Sequence, residues 1–127
     1  MMMHLDDFLE KYDLYDKAVL SIAEASQDSV LLSFDLYSED DPDRNDYGKE
    51  YLLLVTIPRS QIKVITGPLF ISEPECYGQV LEDSSEGKAL FIGIEWSRYS
   101  NNYYEWSKLQ IGSGALDTKE VIVERKQ

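Results

Sequence analysis

Apolar positions change their period early in the chain. Leu5, Phe8, Leu9 and Tyr12 recur at i, i+3, i+4 and i+7, the stripe of a short amphipathic helix. Asp6 and Asp7 fall in its first turn, where the helix dipole favours negative charge. From Ala18 the period becomes two. Ala18, Leu20 and Ile22 alternate with Val19, Ser21 and Ala23, and Val30, Leu32, Phe34 and Leu36 alternate with Leu31, Ser33, Asp35 and Tyr37. The turn residues of 25–29 lie between the two runs, which predicts a hairpin. Tyr51 to Ile57 is apolar at nearly every position, as in a central strand covered on both faces, and Pro58 ends it. Further strands are predicted over Gln61–Thr66, Leu69–Ile71, Tyr77–Glu82, Lys88–Trp96, Tyr103–Ile111 and Glu120–Glu124. Eight or nine short strands with one short N-terminal helix give a mainly β chain, or α+β on a strict count. The expected architecture is an antiparallel sandwich or partly open barrel, formed as a single domain over residues 1–127.

A length of 127 residues, 43% of them hydrophobic, supports a real core and excludes a disordered chain. Cys76 is the single cysteine, so no internal disulfide forms and a reducing, cytoplasmic setting is expected. Met1 to Asp7 has no basic region of a secretory signal, and nowhere do 18 apolar residues run together.

Charge narrows the choice of partner. The formal net charge is -12, and residues 1–50 carry 14 acidic and 4 basic side chains against 10 and 8 in the remainder. Nucleic acid and anionic membranes are disfavoured, since both require clustered cations. The densest stretch is the loop holding Glu39, Asp40, Asp41, Asp43 and Asp46, punctuated by Pro42 and Gly48. Asp41, Asp43 and Asn45 sit at the first, third and fifth places of a calcium-type loop, but Asp46 stands where glycine is required and Leu52 where a bidentate glutamate is required. No metal or other cofactor is expected. The loop reads instead as a solvated hairpin connection or as a negative patch that steers a basic partner.

Catalytic chemistry is poorly supplied. His4, the single histidine, lies beside a terminus expected to fray, and Cys76 follows Glu73 and Glu75, which disfavour its thiolate. Glu95 and Glu105 stand on the two arms of a predicted hairpin beside Trp96 and Trp106, a pairing reminiscent of glycoside hydrolysis. Strand carboxylates of this kind are usually solvated, and no catalytic residue is assigned.

The hairpin itself is the second notable segment. Trp96, Arg98, Tyr99, Tyr103, Tyr104 and Trp106 bracket Ser100-Asn101-Asn102. Three roles remain open: a cross-strand aromatic pair that fixes register, anchors of a protein-binding surface, or a platform for sugar rings.

Residues 14–36, from Leu14-Tyr15-Asp16-Lys17-Ala18 through Ser29-Val30-Leu31-Leu32-Ser33-Phe34-Asp35-Leu36, resemble the opening of a group of small bacterial proteins that includes immunity proteins of polymorphic toxin systems. That group commonly has histidine where this chain has Tyr15 and a small residue where it has Lys17. The resemblance implies a cytosolic protein that binds and silences a cognate toxin, and it assigns no residue a role. The expectation is therefore a non-enzymatic acidic binding protein, monomeric or homodimeric. It would occlude a basic protein partner through the acidic loop, the aromatic hairpin or both. A carbohydrate-binding module built on residues 96–106 is the alternative.

Overall fold

The computed structural model describes residues 1–36, 49–72, 76–86, 88–98 and 104–124. Among them are α1 (Leu5–Lys11) and nine strands: β1 (Met2–His4), β2 (Ala18–Ser26), β3 (Ser29–Asp35), β4 (Lys49–Pro58), β5 (Ile62–Thr66), β6 (Cys76–Glu86), β7 (Ala89–Arg98), β8 (Tyr104–Ile111) and β9 (Ala115–Glu124). All strands join one antiparallel sheet in the order β1-β9-β4-β3-β2-β6-β7-β8-β5. The predicted hairpin is β2 and β3 joined at Gln27-Asp28, and Pro58 closes β4 opposite Ser29 before a 3-10 turn at Arg59–Gln61.

One connection determines the shape of this sheet. β8 and β9 lie six places apart in the order, with five strands between them, yet Gly112, Ser113 and Gly114 alone join them. Laid flat, strands so placed would be about 29 Å apart at the usual strand spacing. The steps from Ile111 to Ala115 reach at most about 15 Å. The sheet must therefore coil, and both of its edges arrive at this link. On the β1 side, the Leu5 N–H donates to the Gly114 carbonyl at 2.9 Å. Before β5, the Gly112 N–H donates to the Gln61 carbonyl at 2.7 Å, and the Gln61 side-chain amide donates to the Ala115 carbonyl at 3.0 Å.

Coiling gives the sheet an inner face, which accounts for the alternation in the sequence. Val30, Leu32 and Phe34 of β3, Leu53, Val55 and Ile57 of β4, and Leu90, Ile92, Ile94 and Trp96 of β7 point into one core. Burying each such side chain contributes about 1.5–3 kcal/mol. α1 adds Leu5 and Phe8 to that core, and Tyr12, just beyond its C-terminus, joins them. β4 is fully covered on this inner face only. Its alternate residues Leu52 and Leu54 are half-buried, because a single coiled sheet has no second layer outside it.

Several boundaries differ from the sequence expectation, among them that of β6, which runs on to Glu86 rather than ending at Glu82. β9 begins at Ala115 rather than Glu120, since Leu116 and Thr118 are inward while the intervening Asp117 and Lys119 are exposed. The first residues are not frayed: β1 pairs with Ala115–Asp117, and the His4 ring Nδ1 accepts from the Asp6 N–H at 3.2 Å to cap α1. Among the described residues Leu69–Ile71 makes a single bridge, Ile71 to Ile22.

Where the chain passes from α1 to β2, Asp16 adopts φ 65°, the left-handed region that Asp tolerates better than most residues. Its N–H donates to the Val80 carbonyl at 2.9 Å, and its carboxylate accepts from the Gln79 amide. The Val80 N–H donates to the Lys17 carbonyl at 3.0 Å. This contact ends the pairing of β2 with β6.

Gly67, with φ 77°, occupies a position no other residue fits: a Cβ there would lie 2.0 Å from the Trp106 carbonyl oxygen. Gly67→Ala is expected to lower stability by about 2 kcal/mol or more through backbone strain and this clash. Gly112→Ala, whose Cβ meets nothing nearer than 3.6 Å, serves as the control. Urea midpoints of the two variants measure the difference.

Candidate functional site

The register of β7 and β8 separates the two tryptophans. Trp96 lies opposite Glu105 and Trp106 opposite Glu95, so the rings point to opposite faces of the sheet. Trp96 is 1% exposed, and its indole N–H donates to the Ser107 hydroxyl at 3.1 Å. That hydroxyl donates in turn to the Pro68 carbonyl at 2.7 Å. A buried polar pair with both partners satisfied holds the strand connection over the core. This corrects the expectation for Trp96: it is a core residue and offers nothing to a partner.

Trp106 lies on the outer face, half-buried, with its ring over Gly93, where a Cβ would come within 2.4 Å of it. In the next row Tyr77, Ser97 and Tyr104 are aligned across β6, β7 and β8. Tyr104 is 64% exposed and Tyr77 38%. The outer face of this three-stranded segment thus presents Tyr77, Tyr104 and Trp106, with Gln79 and Glu95 in the row of Trp106. Sequence reasoning missed Tyr77. It lies far from the hairpin in the chain, and only the β6–β7 register brings it there. Arg98, at the end of β7, is half-buried and outside this cluster's rows. Tyr99 and Tyr103 lie outside the described residues, as do Glu39, Asp40, Asp41, Asp43 and Asp46.

The same register disposes of the glutamate pair. Glu95 and Glu105 are on opposite faces and cannot converge on one glycosidic bond. Cys76 is buried, and among the described residues no group of three His, Cys, Asp or Glu side chains is arranged to hold a metal ion.

A concave feature lies where the chain diverges at Asp16. Leu9, Tyr12, Asp13 and Tyr15 on one side, with Asp83, Ser85 and Leu90 on the other, enclose a cleft of 340 Å³. Asp83 is inward-facing, opposite Ile92. Burial pushes its carboxyl above the usual carboxylate range, and the negative charge of Asp13 adds to the shift. The Tyr12 hydroxyl donates to the Glu120 carboxylate at 3.2 Å, and burial followed by that charge raises its pKa. The Asp13 carboxylate accepts from the Tyr15 N–H at 3.1 Å, fixing the turn that forms one wall. Among the described residues no helix is long and apolar enough to cross a membrane.

No protein-family model, no curated protein and no solved structure matches the chain.

Trp96→Ala is expected to cost about 3–5 kcal/mol of stability, as removing a large core aromatic does. Trp106→Ala, which uncovers Gly93 on the outer face, is expected to cost less than half of that. Urea denaturation of the two variants, followed by the fluorescence of the remaining tryptophan, measures the difference.

Proposed function

We propose that this protein is a non-enzymatic binding protein of the immunity or inhibitor type that occludes a basic protein partner. The observation that carries this reading is the outward aromatic row Tyr77–Ser97–Tyr104 with Trp106 beside it. Such rigid rings on a strand face supply the buried anchor area that dominates binding energy. Charge supplies the partner's chemistry. Fourteen acidic against four basic side chains in residues 1–50 attract a basic surface over long range and accelerate encounter. The resemblance of residues 14–36 to toxin-immunity proteins points the same way, to a cytoplasmic protein with a cognate toxin as its partner.

Tyr77, Tyr104 and Trp106 beside Glu95 and Gln79 also have the composition of a sugar-stacking face, and carbohydrate binding is the second reading. The charge of the N-terminal portion contributes nothing to it, which places it behind the first.

Replacing Asp40, Asp41 and Asp43 together by Asn is expected to slow association with a basic protein such as cytochrome c about tenfold at low salt. Stability should be nearly unchanged, and the difference from the parent should vanish near 1 M salt. Stopped-flow association rates across a salt series test this. Rates that are the same for parent and variant at every salt concentration would contradict an electrostatic role for the loop.

A further inference from the structure

β6 is longer than the strand beside it. Its pairing with β2 ends at Ala18–Gln79, and the turn at Asp16 and Lys17 adds only the two hydrogen bonds to Val80 before the chain diverges to α1. Beyond that point Leu81–Glu86 carries β7 on one side, and among the described residues no strand pairs with it on the other. An unpaired edge of this length is a template for a further strand. It borders the 340 Å³ cleft, since Asp83 and Ser85 line both.

The lining chemistry is selective. Two carboxylates, Asp13 and Asp83, face the cleft near enough to influence each other's charge, two tyrosines stand beside them, and no Lys or Arg is among its walls. The nearby Lys108 is engaged on the outer face with Glu82 at 3.3 Å. Lys11 Nζ already sits 5.3 Å from the Tyr12 ring centroid, so a cation entering the cleft would relieve the repulsion between the carboxylates and have Tyr15 as its aromatic wall. A second copy of this chain is a poor occupant, because it would bring its own Glu82 and Asp83 against the same residues.

We propose that an extended segment of a basic partner adds as a strand along the open edge of β6 and places an arginine or lysine side chain in the cleft between Asp13 and Asp83. Main-chain hydrogen bonds would supply affinity and the cation specificity, the usual division in strand addition. This rests on the reading of the partner as basic and deepens it, by adding a recognition site remote from the acidic loop.

The test uses the full chain and a blocked peptide alternating valine with arginine, with valine–threonine and valine–glutamate peptides as controls. Calorimetry is expected to show binding of the arginine peptide alone. Asp13→Asn and Asp83→Asn, which keep the side-chain shape and the acceptor for Tyr15, should each weaken it about tenfold. Backbone amide exchange should slow within residues 82–86 on binding. Equal binding of the three peptides, no effect of either substitution, slowed exchange elsewhere, or a dimer that already fills this edge by sedimentation would each overturn the proposal. The loop variant separates the two ideas. If it slows association with cytochrome c while the cleft variants leave the peptide unaffected, the cleft falls and the basic-partner reading stands. If neither set has an effect, both fall.

Discussion

The three residues between β8 and β9 constrain everything else in this molecule. A link of that length between strands six places apart forbids a flat sheet, and the coil it imposes creates one inner face for one core. The alternation of Val30, Leu32 and Phe34 with half-buried neighbours is what such a coil requires of a strand, and α1 fills core space that strands alone leave open. The link is itself the place where both edges of the sheet are tied, through Leu5 on one side and Gln61 on the other. Local and global preferences agree here, as they do in sequences that specify one fold.

Much of the architecture was legible in the sequence, because period is a local property. The stripe of Leu5, Phe8 and Tyr12 and the alternation around Ala25–Ser29 give α1 and the β2–β3 hairpin without reference to anything distant. What stayed hidden depends on register. Trp96 and Trp106 bracket their turn almost symmetrically in the sequence, yet a one-residue offset puts them on opposite faces, one in the core and one outside. The same offset separates Glu95 from Glu105. Tyr77 joins the aromatic face through pairing with Ser97, a relation that no pattern near residue 77 encodes. β1 and the start of β9 were missed for a simpler reason. Met2–His4 is too short to show a period, and Thr118 hides an inward position behind a polar name.

The segment between α1 and β2 has structural work of its own. Asp16 adopts the left-handed conformation that turns the chain between α1 and β2, and its two contacts with β6 hold that turn in place. An aspartate at this position needs no catalytic or binding role to be explained, since few residues other than Gly, Asn and Asp tolerate the backbone there. Its consequence is indirect. By drawing the chain away from β6 it opens the cleft that Tyr15, Asp13 and Asp83 line. The aromatic face and the cleft lie on opposite faces of the β6–β7 ribbon, so a partner engaging both must wrap around its edge.

Native-state hydrogen exchange on the free protein probes this arrangement most directly, because the divergence at Asp16 leaves a measurable trace in the backbone of β6. The Val80 amide, bonded to Lys17, should be strongly protected, while alternate amides within residues 82–86, those not bonded to β7, should exchange at least about a hundredfold faster. Protection of every amide from Val80 to Glu86 to the same degree would show that the edge is covered and would contradict the account.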